Sequence, residues 1–229
     1  MRLDAHQFFT PEHTAEHLAS ILKRNRFDGS IAVARSAEET GWFLKLAEQY
    51  KFIRGVVGAG PPGQLAQGAA HPKLVAEAWT GSGTPRLPLE VASAPLAQQL
   101  AERFPGTRIA IVHLGFPPLG VEDGGVWARD LERAAQFPEV FCKLSGLTTL
   151  APKPWNAAGL RPYVRHVLRV FGPRRAMFGS DWPAGLPDII WKEALAAFTQ
   201  SIGAETMETR EHLLGGTAAR FYGIPQVDA

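Results

Sequence analysis

Along the chain, short apolar runs bounded by turn residues alternate with longer stretches whose apolar positions recur at helical spacing. That alternation is the sequence form of repeated βα units. Seven units can be counted. Strands are expected at residues 2–9, 29–34, 52–58, 87–92, 108–114, 140–146 and 175–181, each followed by a helical pattern. The first helix is expected to open on Thr10 and Pro11, a hydroxyl cap followed by a proline whose missing N–H costs nothing in the first turn, and to run to about Asn25. The second opens on Ser36-Ala37-Glu38-Glu39, which reads as a capping box, and its apolar stripe includes Trp42, Phe43, Leu46 and Ala47. Later helices are expected at 95–104, 127–137, 162–171, 189–202 and 208–222.

Between the third and fourth expected strands, residues 64–79 read as one helix, followed by the turn-rich Thr80-Gly81-Ser82-Gly83-Thr84-Pro85. Placing a strand at 75–79 instead leaves seven residues, 80–86, for a parallel crossover that ordinarily takes about a dozen. The pattern therefore predicts an α/β fold, a TIM-like (β/α) barrel short by one βα unit, with seven strands and a distorted or incompletely closed sheet. Such a barrel can expose strand edges, and pairing between subunits, a homo-oligomer, is one way to cover them. The length of 229 residues suits a single barrel domain covering 1–229.

Composition narrows the function classes. Hydrophobic residues make up 45% and charged residues 20%, with no apolar run approaching the roughly 18 residues of a membrane span. The formal charge of +2 comes from interspersed acids and bases rather than a basic stripe, so neither nucleic acid nor membrane is an expected partner. The single cysteine, Cys142, cannot form an internal disulfide and reads as a small buried hydrophobe. The first residues carry no apolar leader, and a cytoplasmic location is expected.

In a parallel barrel the chemistry gathers at the C-terminal ends of strands. Three potential metal ligands fall there: His6 on the first strand, His113 on the fifth and Asp181 on the seventh. Strand parity groups His6 with Asp4 and Phe8, and Asp181 with Met177 and Gly179, and it sets Lys143 and Ser145 together on the sixth strand. Lys143 and Ser145 can meet a substrate carboxylate or hydroxyl, although a buried Lys–acid pair explains Lys143 equally well. Glu90 ends a strand and is a candidate ligand or substrate contact, with a surface or ion-paired role equally open, and Trp182 is expected over the rim, where its indole can border the substrate. His13 and His17, four apart, lack the glutamate of the zinc-protease pattern and read as a surface helix face. The glycine-rich stretch 58–63 carries no phosphate-binding lysine and reads as a loop.

Asp4-Ala5-His6-Gln7, His113-Leu114-Gly115, Cys142-Lys143-Leu144-Ser145-Gly146-Leu147, Phe178-Gly179-Ser180-Asp181-Trp182-Pro183 and the run from Gly215 through Arg220-Phe221-Tyr222-Gly223 occur in this order over nearly the whole chain. In this the sequence resembles the amidohydrolase-2 branch of the metal-dependent TIM-barrel hydrolases, its lactonases above all. The resemblance implies a hydrolase that opens a small sugar or dicarboxylate lactone. Asp181 would be metal ligand and general base, and His6 and His113 metal or substrate-polarising groups. From their strand positions, Lys143 is a further candidate catalytic residue and Glu90, Ser145 and Trp182 are candidate substrate contacts. The resemblance also implies one divalent metal, zinc or manganese. The family pattern on the first strand is His-x-His, whereas this chain reads His6-Gln7-Phe8, so one imidazole is missing. A metal-free lactonase or isomerase, and a non-catalytic binding barrel, are the alternative expectations.

Overall fold

The computed structural model describes residues 1–61, 71–120, 125–184 and 191–225. One sheet of eight parallel strands runs in sequence order, β1 (Leu3–Gln7), β2 (Gly29–Val33), β3 (Ile53–Gly58), β4 (Leu74–Ala78), β5 (Leu89–Val91), β6 (Ile109–Ile111), β7 (Val140–Leu144) and β8 (Ala176–Phe178). Helices α1 (Ala15–Arg24), α2 (Ala37–Gln49), α3 (Ala94–Arg103), α4 (Gly125–Ala134), α5 (Ala157–Phe171) and α6 (Trp191–Ile202) follow β1, β2, β5, β6, β7 and β8. The short helices α7 (Met207–Glu211) and α8 (Thr217–Tyr222) come last. The fold is therefore a TIM-like barrel of eight strands, not seven.

The correction lies where the sequence pattern was hardest to read. Residues 74–78, assigned to the end of a helix, form β4, while residues 64–70 of that expected helix and 62–63 of the glycine-rich loop lie outside the described residues. Val75 fits against Gly55, whose missing side chain makes room: a Cβ there would stand 2.5 Å from Val75 Cγ2. What is absent is the crossover helix between β4 and β5. The ten residues from Trp79 to Pro88 return without any helix, and at about 3.3 Å per extended residue that is ample to retrace a five-residue strand.

Helix starts follow local capping more closely than the apolar pattern. Thr14, not Thr10, caps α1 by accepting from the His17 N–H, while Thr10 and His13 close a turn on each other. Ser36 caps α2 through the Glu39 N–H. The Glu39 carboxylate turns to the Arg35 N–H and guanidinium instead of completing the capping box. α5 starts at Ala157 under an Asn156 cap and carries Pro162 inside it. Residues 189–190 of the helix expected after the seventh strand lie outside the described residues.

Apolar packing divides into two layers. Ala32, Ile53, Ile109, Ile111, Val140, Cys142, Leu144 and Phe178 pack outward against the helices. Leu3, Ile31, Val57, Ala76, Ala110, Phe141 and Met177 fill the barrel interior, closed from below by Phe221 and Tyr222 of α8. Each fully buried Leu, Ile or Phe contributes about 1.5–3 kcal/mol. β1 and β8 meet through a single bridge, Gln7 to Trp182, with the Phe8 N–H on the Trp182 carbonyl and the Asp181 N–H on that of His6. Below this rim the turn His212–Gly216 plugs the seam: a Cβ on Gly215 would stand 2.3 Å from the Met1 carbonyl oxygen.

Among the described residues no helix is long and apolar enough to cross a membrane.

Candidate functional site

At the C-terminal end of the barrel the register of β1 shifts between Asp4 and Gln7. Strand parity would put Asp4 and His6 on one face, but the irregularity separates them, as bulges beside functional sites often do. The Asp4 carboxylate accepts from the Trp191 indole of α6 at 2.7 Å, the Ser180 hydroxyl and N–H at 2.6 and 2.8 Å, and the His6 N–H at 3.2 Å. His6 instead points its Nδ1 at Lys143 Nζ, 3.3 Å away. Asp181 follows β8 in a left-handed conformation with φ of 62°. His113 lies just beyond β6 and opens a left-handed turn, with φ of 50°, 56°, 74° and 55° through Leu114, Gly115 and Phe116. Consecutive non-glycine residues in this region are strained, and such strain clusters at functional sites.

These elements bring His6, His113 and Asp181 together, with one potential ligand atom from each within 4.8 Å of the others. His6 Nε2 stands 3.7 Å from Asp181 Oδ1, and the two imidazoles lie 4.6 Å apart between ring centroids. Two glycines make the room: a Cβ on Gly179 would meet His6 Cβ at 2.6 Å, and one on Gly146 would meet His113 Nδ1 at 2.8 Å.

Each member is held from behind. Thr149 donates its hydroxyl to Asp181 Oδ2 at 2.7 Å. Ser145 Oγ accepts the His113 N–H at 3.2 Å and meets its Nδ1 at 2.9 Å. Lys143, fully buried, pairs with Glu90 at 2.6 Å, and the Tyr222 hydroxyl donates to the same carboxylate oxygen at 2.5 Å. Glu90 Oε2 is buried without a hydrogen-bond partner among the described residues.

Burial governs the electrostatics. It pushes His6 well below its ordinary value, with the Lys143 charge and then His113 adding to the effect. His113 falls to about 4, by burial and then by Lys143, against an opposing pull from Glu90. Both rings are therefore neutral near pH 7 and keep a lone pair. Burial raises the Asp181 carboxyl to about 6, although Thr149 and Lys143 act the other way. Lys143 is lowered by burial and raised in part by Glu90. His6, His113 and Asp181 each offer one ligand atom, two nitrogens and one oxygen in all, a donor set that fits one divalent cation with an open position.

Of the other expected site residues, Ser145 and Lys143 line the cluster through His113 and His6, and Glu90 reaches it only through Lys143. Trp182 is buried in the β1–β8 seam rather than laid over the rim. Its ring packs on those of Phe9, His13 and His17, so the latter two serve as packing rather than as a free surface pair. Phe8, standing where a histidine was expected, lies under the Arg35 guanidinium at 4.4 Å. Cys142 is buried, and burial raises its thiol well above the ordinary range. Sequence reasoning missed Thr149, Tyr222 and the bracing role of Asp4. Tyr222 lay within the recognised C-terminal run, while Thr149 gave no signal of its own.

The family model described as Amidohydrolase, Amidohydro_2, matches residues 11–224. An L-fucono-1,5-lactonase of Burkholderia ambifaria is 26% identical, with 97% of this chain and 96% of that protein covered. An L-fucono-1,5-lactonase of Burkholderia multivorans is 34% identical over 58% of this chain and 48% of its own length. The crystal structure of an amidohydrolase from Burkholderia multivorans with bound zinc superposes with a TM-score of 0.83 at 27% identity, covering 98% of this chain and all of that one.

Proposed function

The chain belongs to the amidohydrolase family of the Amidohydro_2 model, and from that premise we propose that it hydrolyses a small lactone, with Asp181 as the base that takes the proton of the attacking water. The observation that carries this reading is the convergence of His6, His113 and the buried Asp181 carboxyl at three strand ends. A carboxyl raised to about 6 is ionised at neutral pH and is a stronger base than an ordinary aspartate. Thr149 fixes one carboxylate oxygen and leaves Oδ1, on the His6 side, for the water. His113, its Nδ1 engaged by Ser145, keeps its other ring nitrogen for the metal site. As water adds to that carbonyl the ring C–O bond breaks, and the proton held by Asp181 is delivered to the leaving alkoxide. A divalent cation, zinc or manganese, held by His6, His113 and Asp181 would supply Lewis-acid polarisation of the carbonyl.

Sugar lactones are the substrates to try first, because two of the relatives carry that name. The test is ring opening across a panel of aldono-1,4- and 1,5-lactones, followed as acid release, for the protein and its Asp181→Asn variant. Turnover lost in the variant by about 10²–10⁴-fold supports the assignment. Equal turnover in both removes Asp181 from the mechanism.

A second reading is favoured by one contact. If the Lys143 ammonium donates to His6 Nδ1, the hydrogen of that ring sits on Nε2, and His6 is a donor to the lactone carbonyl rather than a metal ligand. Full turnover after exhaustive chelation selects this reading. Activity lost to chelation and restored by zinc or manganese selects the first.

A further inference from the structure

At the end of the barrel opposite the candidate site, the segments entering β6, β7 and β8 surround a cavity of about 580 Å³. Arg108 precedes β6, Glu139 precedes β7, Arg174 and Arg175 precede β8, and Arg220 enters from α8. Four guanidinium groups thus line it against one carboxylate. Arg174 pairs with the exposed Glu208 at 3.3 Å, whereas Arg108, Arg175 and Arg220 have no carboxylate within ion-pair distance among the described residues.

Their hydrogen bonds go to backbone carbonyls. Arg175 Nη1 reaches those of Ala135, Phe137 and Val140 at 2.9–3.2 Å and is anchored by them. Arg108 uses only Nη1, on the Arg220 carbonyl, and Arg220 only Nη2, on the Arg174 carbonyl. A guanidinium has five N–H donors, so Arg108 and Arg220 each keep several unused among the described residues. Carbonyls fix these side chains but bring no net negative charge. The half-buried Arg175 registers the imbalance: its pKa is lowered first by burial and then by Arg220. Arg220 and Arg175 also lie over the rings of Phe141 and Phe171, each at 5.4 Å, which sets them as rigid walls. Arg108 and Arg175 are partly buried and Arg174 and Arg220 exposed, and like charges gathered at a concavity repel one another and are relieved by an anion. The planar fork of arginine matches the oxygens of phosphate and carboxylate.

The geometry points to a binding site for a multivalent oxyanion at the N-terminal end of the barrel, distinct from the candidate reaction centre, with Arg108 and Arg220 as the principal contacts. Its chemistry is that of a phosphate ester, a polyphosphate or a polycarboxylate.

The test is calorimetric titration of the full chain with pyrophosphate and, separately, with citrate, at an ionic strength held constant with chloride. One saturable site is expected, weakened about tenfold or more in each of Arg108→Gln and Arg220→Gln. Glu139→Gln removes the only carboxylate lining the cavity, and no side-chain partner of Glu139 is seen among the described residues, so that variant should fold and bind a few-fold tighter. Pyrophosphate binding without citrate binding assigns a phosphoryl ligand; comparable binding of both assigns the wider oxyanion class. Unsaturable heats for both anions, or affinities unchanged in Glu139→Gln and in a folded Arg108→Gln, overturn the site.

Discussion

Replacing Asp181 by asparagine should stabilise the protein while it removes catalysis, and the stabilisation should depend on pH. The carboxyl is buried, and burial raises it from 3.8 to about 6. Each unit corresponds to about 1.36 kcal/mol, so ionising this group in the folded state costs roughly 3 kcal/mol relative to the unfolded chain, and about 1.6 kcal/mol for a shift one unit smaller. Because the folded value lies above the unfolded one, the group's contribution to stability is fully present below pH 3.8 and is lost as pH rises through about 6. Asparagine retains an oxygen for the Thr149 hydroxyl and carries no charge to bury. The variant and the parent should therefore be equally stable near pH 4, and the variant more stable by about 1–3 kcal/mol at pH 8. For a chain of this size that is roughly 2–12 °C in Tm. Urea denaturation followed by circular dichroism at both pH values, with chelator present, measures the difference. A difference that does not change with pH, or a variant less stable at pH 8, refutes the burial account of this carboxyl.

Lys143→Met strips the buried Glu90 carboxylate of its cation and should cost about 3–5 kcal/mol, while Glu90→Gln in the same chain should restore most of it; chemical denaturation of the single and double variants checks the coupling. If turnover survives chelation, kcat/KM should rise with pH through an acid limb near 6 as Asp181 ionises; in zinc-loaded protein the limb should lie lower because a cation favours the carboxylate, and pH–rate profiles under the two conditions read this. Gly215→Ala drives a methyl group into the Met1 carbonyl at the β1–β8 seam and should destabilise by about 1–3 kcal/mol, measured as a fall in urea midpoint at unchanged m-value.

Most of the barrel was legible because its strands are short, apolar and bounded by turns, and seven of the eight lie within stretches the pattern marks. β4 was the exception for a physical reason. Leu74–Ala78 contains alanine and glutamate, both compatible with helix, and the rule that parallel strands need a long crossover argued against a strand there. A ten-residue return without a helix escapes that rule. The three polar strand-end residues stood out because charged and imidazole groups rarely follow buried strands without a partner. What parity could not supply was orientation. It placed His6 beside Asp4, and only the register shift in β1 sends one toward Lys143 and the other toward Trp191. For Lys143 the sequence left a substrate contact and a buried Lys–acid pair equally open; the structure pairs it with Glu90, because a buried cation without an acid would not be tolerated.

The same hydrogen bonds that close the barrel also assemble the candidate site. β1 and β8 share one bridge, and the contacts beside it are the Asp181 N–H on the His6 carbonyl at 2.8 Å and the Phe8 N–H on the Trp182 carbonyl at 2.9 Å. Opening this seam would separate His6 from Asp181 before it disturbed the other six strands. The strained backbone at Asp181 and at residues 113–116 resists relaxation only while the seam and the Ser145–His113 contacts hold it. Asp4, with four donors from β1, the β8 loop and α6, ties the seam to the outer helical layer, though it lies outside the cluster. Loss of Asp4 should therefore impair the site through the distance between His6 and Asp181. Loss of an equally buried hydrophobe such as Val164 on α5 should lower stability without selectively disturbing that distance.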